Sequence, residues 1–430
     1  MTPQHNYATW SPPPGFVVVP SQVPGIEVYA PAPEETAGPE AKTFRCPQCA
    51  GLISYDAGDQ ELICPYCGYR QQIGARVVGL SADRFEFTLG TLGESERGWG
   101  IARRSIQCAS CNAVFSSSEG ELSTTCPFCG SNRVSTQAAL HDTIRPGYLI
   151  PFSVERELCR ASVRTWLGKG WMHPPELRQA GAVTEFAGIY LPFWIFDAHI
   201  DAHWRAEVGY RETRRHYRDG KWETETVIRW RWESGDVRLP IHDLLVYGAS
   251  KLSAELLERL YPYDLAQLTT YDSAYLAGWQ AQAYDVPLKP AWEVGKRRMR
   301  ERAKDACYDD IPSAHVRNFA MTADLNQERW RYVLLPVYMT TYAFAGETYH
   351  VLVNGQTGAI AGQKPVAWQR VWLAIAAALA PGILGGLLGL LTVPLGGVGT
   401  VILPVAFVLF LVGLIVSIYI FVQAREADER

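Results

Sequence analysis

The sequence predicts an α+β protein: two small cysteine-held β-ribbons, a body containing antiparallel sheet, and a two-helix transmembrane hairpin at the C-terminal end. Three observations predict it. Two four-cysteine sets repeat with the same internal spacing, a long stretch alternates apolar and polar residues with a period of two, and 54 consecutive residues near the C-terminus carry no charge.

Residues 1–40 come first and hold nine of the 27 prolines. Proline lacks an amide donor and disfavours helix in the residue before it. This stretch is expected to be a disordered, partly extended tail. It has no basic start, and its apolar run Phe16 to Val19 is too short for a secretory h-region, so the soluble parts are expected in a reducing cytosol.

Residues 41–135 contain the internal repeat. The first unit is Cys46-Pro47-Gln48-Cys49 followed by Cys64-Pro65-Tyr66-Cys67, and the second is Cys108-Ala109-Ser110-Cys111 followed by Cys126-Pro127-Phe128-Cys129. Fourteen residues separate the two pairs in each unit, and glycine follows the second pair both times, at Gly68 and Gly130. Four thiolates in two tight turns suit a tetrahedral d10 ion, so each unit reads as a structural zinc β-ribbon with Cys46, Cys49, Cys64 and Cys67, or Cys108, Cys111, Cys126 and Cys129, as ligands. A rubredoxin-like iron centre is the alternative. Four protein ligands leave no open coordination position, which argues against zinc hydrolysis. Between the units, Val77 to Trp99 reads as short strands and turns.

Residues 141–365 are the expected body. Val154 to Leu167 has helical spacing. From Ile189 onward the period is expected to become two: Trp194, Phe196, Ala198, Ile200, Ala202, Trp204, Ala206 and Val208 share one face, while Asp197, His199, Asp201, His203, Arg205 and Glu207 share the other. Asp219-Gly220 offers a hairpin turn. The return strand places Thr226, Ile228, Trp230 and Trp232 on one face and Arg229, Arg231 and Glu233 on the other. Ala254 to Leu260 and Ala291 to Ala306 read as helices, and Tyr332 to Phe344 and Thr348 to Val353 as strands.

Val371 to Ala424 is the charge-free run, interrupted by Pro394-Leu395-Gly396-Gly397-Val398-Gly399-Thr400. Each half exceeds the ~20 residues that span a bilayer. Lys364 and Arg370 precede the hairpin and Arg425 and Arg430 follow it, so both ends are expected in the cytoplasm. Gly382, Gly386, Gly385 and Gly389 form two overlapping GxxxG spacings, either a packing face or a flexible span.

Several function classes fail. No GxxxxGK[ST] loop is present, since Gly168-Lys169-Gly170 lacks the loop and the hydroxyl, which excludes a nucleotide-driven helicase. The histidines show no spacing relation to a Ser or Cys nucleophile, and Cys159 and Cys307 read as buried structural thiols, so no catalytic residue is expected. His199, Asp201 and His203 point one way on a strand, but nearby Arg205 and Arg215 would oppose a cation. Residues 41–135 carry nine basic and nine acidic side chains, so nucleic acid is the alternative rather than the leading partner. A small-molecule substrate is not expected.

Together the duplicated cysteine units, Ile150-Pro151-Phe152, Gly188-Ile189-Tyr190-Leu191-Pro192-Phe193-Trp194-Ile195-Phe196-Asp197, Tyr261-Pro262-Tyr263-Asp264-Leu265 and Val353-Asn354-Gly355-Gln356-Thr357-Gly358 resemble the bacterial TFIIB-type zinc-ribbon membrane proteins, whose older label is replication factor Y or primosomal helicase-like. The resemblance covers roughly residues 41–424. The missing nucleotide motifs contradict the helicase label, and Cys108-Ala109-Ser110-Cys111 departs from the pattern by lacking its proline. Some relatives in that family are membrane-anchored and work beside SPFH (flotillin-like) proteins and the phage-shock protein A system. The resemblance thus implies a membrane-stress adaptor, with a lipid bilayer and a protein of SPFH or phage-shock type as partners.

Overall fold

The structure is a computed structural model that describes residues 16–19, 28–31, 44–86, 103–118, 125–137, 144–178, 186–218, 221–393 and 398–429. Within the expected tail, β1 (Phe16–Val19) and β2 (Val28–Pro31) pair antiparallel, with Val17 opposite Ala30. The Val17-Val18-Val19 run supplies the β-branched side chains that favour strand. The first cysteine unit contains β3 (Ser54–Asp56), β4 (Glu61–Ile63) and β5 (Arg70–Gln71), a three-stranded antiparallel sheet. β6 (Phe85–Glu86) follows, and residues 87–102 of the expected strands and turns lie outside the described residues. The second unit contains β7 (Arg103–Cys108), β8 (Val114–Ser118) and β9 (Val134–Gln137), with β7 between the other two.

The body is organised by one strand. After β10 (Tyr148–Leu149) comes β11 (Phe186–Arg218), 33 residues, or ~110 Å at about 3.3 Å per residue. It pairs antiparallel with β12 (Lys221–Tyr247) over its outer portion, the connecting residues 219–220 being outside the described set. β13 (Thr269–Thr270) and β14 (Gln280–Ala281) are short; β14 runs parallel to β11 at Ile189 and Tyr190. On its other side β11 pairs with β15 (His315–Phe344), from Phe186 opposite Thr340 to Gly209 opposite His315. β16 (Glu347–Asn354) and β17 (Ile360–Gly362) extend the sheet beyond β15. The architecture is α+β with antiparallel and mixed pairing.

β15 begins at His315, well before the expected Tyr332, because two bulges hide its alternation. Asn318 and Gln327 adopt left-handed backbone (φ 54° and 53°), each adding a residue that shifts the apolar phase by one. Asp243 on β12 does the same (φ 56°) opposite the register shift at Phe196/Ala198.

Alternation along β11 begins only at His199, more than a third of the way along. From His199 onward exposed and buried residues alternate, whereas Ile189 to Ala198 are buried throughout. Asp197, assigned by periodicity to the solvent face, is therefore a correction: it is 4% exposed. A second layer covers the sheet there. Tyr190, Trp194 and Phe196 enter one hydrophobic cluster with Ile53, Tyr55 and Leu62 of the first cysteine unit. Ile189, Leu191, Phe193 and Ile195 enter another with Ile106, Phe115 and Phe128 of the second unit. The two units thus cover opposite faces of the same strand. The second also joins the body sheet, as Ser116 of β8 pairs with Ala281 of β14 and its hydroxyl donates to the Ala281 carbonyl at 3.0 Å.

Five α-helices complete the described residues. α1 (Arg156–Leu167) buries Cys159, Val163 and Leu167 on one face. α2 (Ala254–Glu258) is capped by the Ser253 hydroxyl, which accepts from Leu256 N. α3 (Leu288–Asp310) lies on the β11/β12 ribbon: the rings of Trp292 and Phe196 are 5.1 Å apart, and Trp204 Nε1 donates to Asp310 Oδ2 at 2.8 Å. α4 (Trp368–Thr392) and α5 (Val398–Glu429) form the C-terminal hairpin. Both are long and apolar enough to cross a membrane. Leu387, Leu391, Val401, Phe407 and Ile415 are all more than half exposed, an outward apolar surface that water would disfavour and hydrocarbon would not. Gly382 and Gly385 face Phe410 and Ala406, so the packing face is made of Gly382, Gly385 and Gly389, while Gly386 has nothing near it.

Candidate metal centres

Four Cys-x-x-Cys turns build two sites, and all four use one backbone device. The carbonyl of each first cysteine accepts from the amide four residues on: Ala50 to Cys46 at 2.8 Å, and Gly68 to Cys64, Asn112 to Cys108 and Gly130 to Cys126 at 2.9 Å. Each donor residue has left-handed backbone, with φ of 59°, 74°, 56° and 69°. Glycine adopts this freely, and asparagine at lower cost than most residues. The glycines after the second pairs were legible in the sequence; Ala50 and Asn112 perform the same turn without the signature.

The turns bring the thiols together. Cys46 and Cys67 sulfurs are 3.4 Å apart and Cys49 and Cys64 3.5 Å; Cys108 and Cys129 are 3.6 Å apart and Cys111 and Cys126 3.7 Å. In each set all four sulfurs lie within 4.8 Å of one another. A tetrahedral ion with ~2.3 Å bonds to sulfur needs edges of ~3.8 Å. All eight predicted residues are therefore assembled as two four-sulfur sets that could hold zinc.

The missing proline at Ala109 has a structural counterpart. Its amide donates to the Arg133 carbonyl at 2.7 Å, tying this turn to the approach to β9. Proline has no such donor.

The electrostatics favour a cation. Burial pushes the Cys64 thiol up, but the amides of Cys67 and Tyr66 and the neighbouring thiols outweigh it and bring it down to about 7. Cys108 reaches about 7 in the same way, against burial, through the amides of Cys111 and Ser110. Their neighbours move oppositely. The Tyr69 amide pulls Cys67 down, yet burial and the other three thiols push it up to about 12. Burial and the adjacent thiols lift Cys129 to about 11. One thiol in each set ionises readily, and the next negative sulfurs are opposed until a positive ion sits among them.

The chain is similar to the uncharacterized protein YdjG of Bacillus subtilis (strain 168). Identity is 28% over 352 residues, which span 80% of this chain and 94% of that relative. No protein-family model and no solved structure matches the chain.

The histidine face forms no comparable set. Asp201 Oδ2 accepts from Asn326 Nδ2 at 2.9 Å, and Arg238 Nε lies 3.6 Å from its Oδ1. His203 Nδ1 is 2.8 Å from Asp236 Oδ1, while His199 meets the His242 ring edge to face. His199, Asp201, His203, Asp236, Arg238 and Asn326 line an open groove of about 720 Å³, and the Arg238 guanidinium beside Asp201 opposes a further cation there.

Sequence reasoning missed a buried ion network at the bulge. Arg331, fully buried, contacts Asp243 Oδ1 through Nη2, which lies 3.9 Å from Asp197 Oδ2; Arg84 Nε lies 3.4 Å from the same Asp197 oxygen. Asp197 Oδ1 also accepts from Asp243 N at 2.9 Å. The one local signal was a charged residue inside the otherwise apolar Trp330-Arg331-Tyr332-Val333-Leu334 run.

Proposed function

We propose that this chain is a membrane-anchored, non-enzymatic adaptor that recruits protein partners at the cytoplasmic membrane face, with two structural zinc ribbons bracing its body. The observation that carries the reading is the outer reach of the β11/β12 ribbon. Past Gly209, opposite the first residue of β15, the two strands continue alone. In that reach Trp222 is 70% exposed and Tyr217 62%, and Trp232, opposite Glu207 where β15 still pairs, is 52% exposed. Arg205 lies over the Trp232 ring at 4.4 Å and Arg317 over Trp230 at 4.1 Å. Exposed tryptophan and arginine are the side chains that dominate protein–protein contacts. In this reading α4 and α5 cross the cytoplasmic membrane with both chain ends inside, as the flanking Arg370 and Arg425 favour. The resemblance to TFIIB-type zinc-ribbon membrane proteins makes an SPFH or phage-shock-type protein the first partner to seek.

Arginine stacked on tryptophan also suits nucleic acid, which is the second reading. Local carboxylates count against it. Glu207 pairs with Arg317, and Glu212 lies 3.2 Å from Arg229, so several cations that would meet phosphate already have partners.

The test is a detergent pull-down of the intact chain beside a Trp222→Ala/Trp232→Ala variant, with mass spectrometry and nucleic-acid staining. Enrichment of an SPFH or phage-shock-type protein, lost in the variant, is the expected result. Recovery of nucleic acid in place of protein would sink the adaptor reading. Metal analysis of the same sample separates zinc from iron.

A further inference from the structure

The Gly168-Lys169-Gly170 segment, which fails as a phosphate loop, has an unusual place in the fold. It follows α1 and runs directly into contact with the root of the hairpin. Ala367 N donates to the Met172 carbonyl at 2.7 Å, and His173 Nδ1 lies 3.0 Å from the Pro365 carbonyl. Lys364 Nζ contacts the Trp166 and Lys169 carbonyls and sits 4.0 Å from the Trp166 ring centroid. Met172 packs with Val366, Val371 and Ala424. The peptide linking body to hairpin is thus clasped along its length, so the 168–173 loop is held beside the start of α4.

That end of the hairpin carries all of its tryptophan and tyrosine. The Trp368 and Trp372 rings lie 6.0 and 6.1 Å from that of Phe421, and Trp372 and Tyr419 are 55% and 62% exposed. The opposite end, residues 384–405, contains no aromatic residue. Tryptophan and tyrosine concentrate where hydrocarbon meets headgroups. Next to this belt the loop splits its side chains. Gly170 has φ of +102°, and a Cβ there would stand 2.6 Å from the His173 ring. The turn it permits leaves Trp171 49% exposed and Lys169 exposed while Met172 packs inward. Arg370, one turn into α4, is exposed as well. Neither Lys169 nor Arg370 has a carboxylate partner among the described residues.

We propose that the Gly168–His173 loop is a second, non-spanning contact with the bilayer, in which Trp171 enters the interfacial layer and Lys169 and Arg370 meet the phosphates of anionic lipid headgroups. The occupant is the same bilayer that the hairpin would cross. Continuity with the aromatic belt and the unpaired positive charge argue for it. The proposal rests on the membrane reading above.

The test uses the intact chain in vesicles of phosphatidylcholine with and without phosphatidylglycerol. Tryptophan emission is quenched either by a nitroxide attached to the lipid headgroup or by aqueous iodide. The difference between the parent and Trp171→Phe isolates Trp171, and Trp372→Phe does the same for the span. The expected result is that both components are quenched by the lipid-borne nitroxide. Lys169→Glu should lower the quenching of Trp171, and only where phosphatidylglycerol is present. If Trp372 is quenched by lipid while Trp171 is quenched only by iodide, the loop contact is wrong and the membrane reading stands. If neither responds to the lipid-borne nitroxide, the membrane reading itself fails. Lipid quenching of Trp171 that ignores Lys169→Glu would overturn the headgroup assignment.

Discussion

Tyr190 and Leu191 are neighbours on β11, yet their side chains enter the two different hydrophobic clusters that contain the two cysteine units. Tyr55 of the first unit donates its hydroxyl to the Phe152 carbonyl at 3.0 Å, and the Phe152 ring meets Tyr190 edge on at 5.0 Å. The cysteine units are therefore walls of the body's own core.

If the two sets hold metal, its removal should accordingly unfold more than the cysteine units. Metal analysis is expected to give two zinc ions per chain, and one in either Cys46→Ser or Cys108→Ser. Structural zinc sites contribute on the order of 10 kcal/mol to the folding of small domains. Each variant should lower the thermal midpoint of the near-ultraviolet aromatic signal, which reports the body. A body signal indifferent to chelation would refute the coupling.

Arg331 holds together two carboxylates in the middle of the sheet. Arg331→Met removes the fully buried cation and leaves Asp197 and Asp243 with Arg84, and with His242 3.8 Å from Asp197. Breaking a buried pair from one side costs about 3–5 kcal/mol. Thermal unfolding should show that loss, and Arg331→Met/Asp197→Asn should recover part of it. No recovery would mean the damage is steric.

Acid should weaken the body near the clasp. Burial holds His173 below its usual value of 6.5, against its contact with the Pro365 carbonyl, and burial does the same to His350. The unfolded chain therefore takes up these protons first as pH falls. Stability contributed by the neutral rings is present above about 6.5 and is lost as pH drops through the depressed folded values. Unfolding midpoints measured from pH 7.5 to 5 should fall, and less steeply in His350→Phe.

The hairpin offers a paired comparison. A side chain at Gly382 would place its Cβ 2.5 Å from Phe410 Cα, whereas Gly386 has nothing within 4 Å. Gly382→Leu should force α4 and α5 apart, reducing cross-linking between cysteines introduced at their facing positions. Gly386→Leu should leave it unchanged. Equal effects would mean the two helices do not pack through this face.

The two four-cysteine sets were legible because a Cys-x-x-Cys turn is specified within a few residues and its spacing survives any tertiary arrangement. Alternation past His199 was legible for the same reason. The inner portion of β11 was harder. Ile189-Tyr190-Leu191-Pro192-Phe193-Trp194-Ile195-Phe196 is a continuous apolar run, the mark of a strand covered on both faces, but the covering layers include residues distant in sequence, such as Tyr55 and Phe115. The start of β15 was obscured by its own bulges at Asn318 and Gln327. The Arg331 network could not be read locally, since Arg84, Asp197, Asp243 and Arg331 meet only through sheet register.

The clasp around residues 364–367 governs how copies of this chain would meet. With no slack between body and hairpin, a chain inserted in a bilayer keeps one free rotation, about the membrane normal. Two such chains, or a chain and another membrane-bound protein, would search for each other in a plane at constant height. That leaves less orientational entropy to surrender on contact than two freely tumbling bodies would lose.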